Sequence, residues 1–160
     1  MRGNARIGRA GPSPRPRGGE WLEDELVNWS RAGVNAVFSL LTPEEEQDLD
    51  LAAEPSQAKA LGLRFLSFPI QDRRTPDSEA GLASALDELD NELTAGRNVV
   101  LHCRQGIGRT GLVAACLLIA RGVGPEAAVR RLSAIRRVAV PETAEQRRWI
   151  DYASVFEHAR

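Results

Sequence analysis

Apolar positions along this chain follow two periods, and the changes between them mark out its elements. Over residues 20–32, Trp21, Leu22, Leu26 and Trp29 fall on one helical face, and Gly33 ends the run. Residues 34–41 and 63–68 are short apolar runs that read as strands. Between them, Thr42-Pro43-Glu44-Glu45 carries a capping Thr, a Pro at the first helical position and an acid three residues after the cap, which predicts a helix start. Pro55 interrupts that pattern, and residues 56–61 read as a second short helix. A loop follows over 69–77. Residues 79–95 form the clearest amphipathic helix, with Leu82, Leu86, Leu89 and Leu93 on one stripe and Gly96 past its end. The run Val99-Val100-Leu101 shows no polar alternation, as in a central parallel strand covered on both faces. Further helices are predicted over 109–121, from Pro125 and from near Thr143. Strands alternating with helices predict an α/β fold with a mainly parallel central sheet flanked by helices.

The ends of the chain fit this scheme less well. Residues 1–19 are basic and rich in Gly and Pro, and read as a flexible arm with a weak strand candidate at 5–7. Residues 20–160 are long enough for one domain with a real core. A net charge of −1 gives no reason to expect nucleic acid as a partner. The longest apolar stretch, 112–120, is too short to span a membrane, and the N-terminus lacks the apolar core of a signal peptide. Two cysteines make no disulfide framework, which points to a reducing, cytoplasmic setting.

The chemistry concentrates in HCRQGIGRTG, residues 102–111, which joins the 99–101 strand to an almost wholly apolar helix. Gly106 and Gly108 let the backbone curl so that successive N–H groups point into one concavity, and the helix N-terminus adds partial positive charge. The loop Arg104-Gln105-Gly106-Ile107-Gly108 is therefore expected to cradle a phosphoryl group. In that field Cys103 is expected as the thiolate, the nucleophilic form. Arg109 can hold two phosphoryl oxygens with its planar fork. Thr110 is placed to donate its hydroxyl to the sulfur.

With its Cys, Gly and Arg at these spacings, HCxxGxxRTG resembles the signature of the cysteine-dependent protein tyrosine and dual-specificity phosphatases. Together with FPIQDRRTPD (68–77), LVAACLLIA (112–120) and PETAEQRRWI (141–150), it is most similar to the compact kinase-associated phosphatase branch. The resemblance covers about residues 20–158. It implies a phosphatase-type α/β sheet, no metal or other cofactor, and two steps: attack by Cys103 to give a cysteinyl-phosphate, then hydrolysis by water. It implies a general acid in the upstream segment 69–72, hence Asp72. Asp77 is the rival, but it or Ser78 is better suited to cap the following helix. His102 is expected to orient the loop and support the thiolate by hydrogen bonding. Gln146 has two candidate roles: in some family members a late Gln positions the hydrolytic water, and Thr143-Ala144-Glu145-Gln146 also fits a capping box. Cys116 reads as a core residue and His158 as a solvated one.

The implied substrate is a phosphorylated protein, phosphotyrosine first, with phosphoserine and phosphothreonine left open. The implied enzyme is a monomer that uses neither nucleic acid nor membrane as a partner. Phosphoinositides and RNA 5′-triphosphates are the alternative substrates on this fold. Only Arg104 among the five loop residues is basic, which leans against inositol phosphates, while Arg73 and Arg74 beside the acid are available to a second phosphate. An inactive phosphate-binding module is the reading from a different class. It is opposed by the presence of the Cys, the Arg and the acid together.

Overall fold

The structure is a computed structural model and describes residues 8–157, with side chains through residue 153. The strand candidate at 5–7 and His158 lie outside the described residues. Four strands run in the order β1-β4-β2-β3, and every pairing is parallel. They are β1 (Ala10–Ser13), β2 (Ala36–Ser39), β3 (Arg64–Ser67) and β4 (Val99–His102). The α-helices among the described residues are α1 (Leu22–Arg31), α2 (Pro43–Asp48), α3 (Glu54–Ala60), α4 (Glu79–Thr94), α5 (Gly108–Ala120), α6 (Pro125–Arg136) and α7 (Ala144–Glu157).

Both faces of the sheet are covered, and alternation along β2 shows how. Ala36, Phe38 and Leu40 join the larger core cluster with α4, α5, α6 and α7. Val37 and Leu41 turn the other way, into a smaller cluster with Leu22, Leu26, Leu51 and Ala58. The Leu stripe of α4 buries Leu82, Leu86, Leu89 and Leu93 as expected. In α5 every residue except Leu118 and Ala120 is buried, which matches its all-round apolarity. Cys116 lies in the larger core cluster, the role expected for it.

Two sequence expectations change. Part of the supposed arm is a strand: β1 pairs with β4 in the register Ala10↔Val99 to Ser13↔His102. Its sequence, AGPS, has no apolar period to betray it. Backbone groups hold its start instead, with Arg9 accepting from the Val99 N–H at 2.7 Å and Gly8 donating to the Leu93 carbonyl at 2.8 Å. Pro12 is tolerated because β1 is an edge strand. The second change is at Pro55, which starts α3 rather than breaking a helix. It sits in the first turn, where its missing N–H has no helical partner to lose.

The helix starts follow local chemistry. Thr42 Oγ1 accepts from the Glu45 N–H at 3.3 Å while Glu45 Oε1 accepts from the Thr42 N–H at 3.2 Å, so the capping box of α2 is complete. Ser78, not Asp77, caps α4 by accepting from the Gly81 N–H at 3.0 Å.

One glycine sets the contact between α5 and the chain ahead of α7. A Cβ added to Gly111 would lie 2.1 Å from Val140 Cγ1, a buried branched side chain. In an open helix interior Gly→Ala gains about 1 kcal/mol. Here the clash should reverse the sign, and Gly111→Ala is expected to lower stability by about 1–3 kcal/mol. Urea denaturation measures it; a variant as stable as the wild type would show that Val140 moves freely.

Candidate active site

Parallel pairing puts all four strand ends on one edge. Ser13, Ser39 and Ser67 lie level with His102, through the register pairs Ser13↔His102, Ser39↔His102 and Ser39↔Ser67. The segments leaving those ends therefore converge, as expected at the carboxyl edge of a parallel sheet. The one after β4 is the loop 103–108. The one after β2 carries Glu45. The one after β3 carries Ile70 and Asp72, and the Ile70 N–H bonds to the Leu40 carbonyl at 3.0 Å to hold it against its neighbour.

Carbonyl directions fix the cradle. Arg136 of α6 donates from Nε to the Gly106 carbonyl at 3.0 Å and from Nη2 to the Gln105 carbonyl at 2.8 Å. The Arg104 carbonyl accepts from the Arg15 N–H at 3.4 Å. Three successive carbonyls thus point outward. In a trans peptide the next N–H points the opposite way, so those of Gln105, Gly106 and Ile107 turn inward. One is seen at work, since the Gly106 N–H donates to Cys103 Sγ at 3.3 Å. The first turn of α5 carries no side-chain cap, which leaves its N–H groups open to an anion. Gly106 is required twice over: its φ is +74°, and a Cβ there would lie 2.4 Å from the Ser13 carbonyl oxygen of β1.

Asp72, Cys103, Arg104, Gln105, Gly108, Arg109 and Glu142 line one cavity of about 40 Å³. The Arg109 guanidinium is 1% exposed and joins three segments. Nη1 donates to Glu45 Oε1 at 2.5 Å and to the Ile70 carbonyl at 2.8 Å, while Nη2 donates to Glu45 Oε2 at 2.9 Å and to Asp72 Oδ1 at 3.2 Å. Burial works to lower the Arg109 pKa, but the hydrogen bond to Glu45 and the charges of Cys103, Glu45 and Asp72 raise it above its ordinary value. Burial likewise works to raise the Glu45 carboxyl. The Arg109 hydrogen bond, the Thr42 N–H and the charges of Arg109 and Arg104 hold it below the ordinary carboxylate value. Asp72, whose side chain is 49% exposed, faces both the cavity and solvent.

Two expected contacts take a different form, and a third residue takes one of its two expected roles. Thr110 is buried, but its Oγ1 meets no hydrogen-bond partner among the described residues, so the hydroxyl-to-sulfur bond is not made. The Gly106 N–H serves the sulfur instead. His102 supports the loop through its backbone rather than through the sulfur. Its Nδ1 donates to the Cys103 carbonyl at 3.3 Å and its Nε2 pairs with Glu54 Oε1 at 2.7 Å, both groups being buried. Gln146 makes the capping box: its N–H donates to Thr143 Oγ1 at 3.1 Å and its Oε1 accepts from the Thr143 and Glu142 N–H groups, each at 3.2 Å. Its Nε2 donates to the Arg74 carbonyl at 3.0 Å and the residue is 0% exposed.

Sequence reasoning missed the partners that hold these groups. Glu45 was visible only as a helix cap, and Glu54 and Arg136 carried no signal at all. Their contacts span 64, 48 and 31 residues, and no local pattern encodes such pairings.

A nucleophilic sulfur ringed by inward N–H groups, with a guanidinium and a carboxylate at the same cavity, can bind a tetrahedral oxyanion and attack it. A family profile described as a polymorphic toxin system DSP-PTPase phosphatase matches residues 11–123. The chain belongs to this family. Human cyclin-dependent kinase inhibitor 3 is 36% identical over 127 residues, 78% of this chain and 59% of that protein. A putative tyrosine phosphatase of Invertebrate iridescent virus 6 is 30% identical over 93 residues, 56% of this chain and 34% of the viral protein. The chain therefore spans less than two thirds of the length of these curated relatives. The structure of kinase associated phosphatase with its catalytic cysteine replaced by serine superposes with a TM-score of 0.87 at 23% identity, covering 94% of this chain and 88% of that one. A mutant form of Tk-PTP gives 0.81 at 27% identity, over 96% and 94% of the two chains. The parallel sheet and its flanking helices are the phosphatase fold expected from the sequence.

The Glu45–Arg109 pair carries a pH signature. A carboxyl held below its ordinary value of 4.5 contributes stability above that value and loses it as pH falls through the lower folded value. Gln preserves the capping box but not the charge. Glu45→Gln is expected to lower stability by about 1.5–3 kcal/mol at neutral pH. The gap to wild type should close as the solution is acidified below the ordinary carboxylate range. Chemical denaturation across that range tests it; a gap independent of pH would remove the ion pair from the account.

Proposed function

We propose that the protein is a cysteine-dependent phosphatase that hydrolyses phosphotyrosine on protein substrates through a cysteinyl-phosphate intermediate. The observation that carries this reading is the shared cavity, in which Cys103 Sγ, Arg109 and Asp72 meet among inward-facing N–H groups. In the first step the Cys103 thiolate attacks phosphorus, the P–O bond to the leaving group breaks, and Asp72 gives that oxygen its proton. The inward N–H groups of the 103–108 loop and the Arg109 fork hold the equatorial oxygens, where charge grows in the transition state. In the second step water attacks phosphorus, the S–P bond breaks with its electrons returning to sulfur, and Asp72 takes a proton from the water. His102 and Glu54 set the backbone of Cys103, and no metal enters either step.

The single basic residue inside the loop favours a protein substrate over an inositol phosphate. Arg104 is already turned to Glu45, at 3.5 Å, rather than standing free for an extra phosphate. Phosphoserine and phosphothreonine are second-rank substrates in this reading, and the catalytic unit acts as a monomer. The presence of Cys103, Arg109 and Asp72 in one cavity opposes an inactive binding module.

The purified protein should hydrolyse phosphotyrosine peptides with EDTA present, more readily than phosphoinositides or 5′-triphosphate RNA, and Cys103→Ser should abolish turnover. Metal dependence, or turnover by the Ser variant, would sink the mechanism. A second measurement isolates the acid. Asp72→Asn should cost about 10²–10⁴ in turnover of phosphopeptides and less for aryl phosphates with very acidic phenols, because a good leaving group needs its proton least. Asp77→Asn should leave the chemistry unchanged, since Ser78 caps α4. Equal losses for good and poor leaving groups in Asp72→Asn would move the acid elsewhere.

A further inference from the structure

A hollow of about 920 Å³ takes no part in the site above. It lies along β1 and the first residue of β4, towards the opposite end of the strands from Cys103. That volume falls inside the roughly 300–1,000 Å³ of small-molecule sites, whereas the cavity at Cys103 is about 40 Å³. Its wall is mainly apolar, with Leu93 from α4, Leu118 from α5, and Leu132 and Ile135 from α6. Arg9, Arg121 and Arg131 line it as well, and among the described residues no Asp or Glu does. Arg121 is held by Asp90 at 2.6 Å, while Arg9 and Arg131 form no ion pair among the described residues. Gly11 lies in the same wall with nothing within 4 Å of where a Cβ would stand, so the space beside β1 is open.

We propose that this groove binds one long-chain carboxylate, with its chain against the leucines and its head at Arg9 and Arg131. The apolar wall calls for a hydrocarbon body, and cations without partners call for an anionic head. Other occupants fit less well. A peptide strand added to β1 would find few backbone groups to pair with. The Arg9 carbonyl faces β4, so by the alternation of a strand Ala10 and Pro12 turn their backbone groups away from it, and Pro12 has no N–H to offer. Residues 1–7 carry Arg2 and Arg6 and no acid, which sets them against the arginines of the groove. A second copy docked about a two-fold axis would face arginine with arginine. A bilayer is met by an apolar face that protrudes, and this one is concave. The proposal stands apart from the phosphatase reading, and its test needs no turnover.

Calorimetric titration of the full chain with laurate, kept below its micelle threshold, should show a single saturable site. Each methylene drawn from water should tighten binding about fourfold, so octanoate, decanoate and laurate should differ by about fifteenfold per step of two carbons. Dodecyltrimethylammonium has the chain of laurate and the opposite head, and should bind at least about threefold more weakly. Arg131→Glu, at an exposed position, should weaken laurate by about three- to tenfold and narrow that gap. Gly11→Leu puts a side chain into the open space beside β1 and should abolish binding. Thermal unfolding shows whether each variant is folded; if Gly11→Leu is not, Arg131→Glu decides alone. No binding by the full chain, affinity independent of chain length, tighter binding of dodecyltrimethylammonium, or undiminished binding in the folded variants would each overturn the proposal. So would laurate binding only once residues 1–7 are removed, which would give the groove to the chain's own arm.

Discussion

A buried guanidinium is costly unless every direction it offers is met. Arg109 is met from three directions, and the site depends on that. Glu45 takes both arms of the fork, Ile70 gives a carbonyl, and Asp72 reaches in from the rim. Each partner comes from a segment leaving a different strand from the one that precedes Arg109. One side chain therefore fixes the spacing of the β2, β3 and β4 loops at the open edge of the sheet. The cation proposed to hold the substrate is the same group that assembles its own pocket. Phosphate binding must compete with, or rearrange around, contacts already in place.

What the sequence revealed is what neighbours within a few residues decide. The Leu stripe of α4, the capping boxes at Thr42 and Thr143, the apolar β4 run and the glycine-rich turn after it each follow from local sterics and hydrogen bonding, and each formed as read. What escaped was set at long range. β1 has no side-chain pattern and exists because the β4 backbone offers it a partner. Glu54 looks like an ordinary helix-start acid until the fold brings His102 against it. Arg136 is one of several arginines in its stretch, and only the tertiary structure singles it out as the one that turns two loop carbonyls outward.

Economy at one position also misled a residue-by-residue reading. Glu45 Oε1 closes a capping box and accepts from Arg109 at once. A polar residue with a sufficient local explanation hid a distant one. Gln146 shows the same kind of local role: its oxygen accepts from two backbone N–H groups and its amide donates one hydrogen to the Arg74 carbonyl, which leaves the second amide hydrogen unspent in these bonds. A cap signal in sequence therefore neither excludes nor implies a second duty. Counting the donors and acceptors actually spent decides between them.

The close approach of β1 to the cradle bears on where this domain can be cut or joined to another. The Ser13 carbonyl lies in the space a Gly106 side chain would occupy, and the Arg15 N–H holds the Arg104 carbonyl. Shortening the chain to residue 20, the boundary its composition invites, would strip the outer wall from the phosphate loop and expose the flank of β4. The stretch that looks most dispensable in composition is masonry for the Cys103 loop, and a graft or fusion at this end must leave residues 8–15 in place.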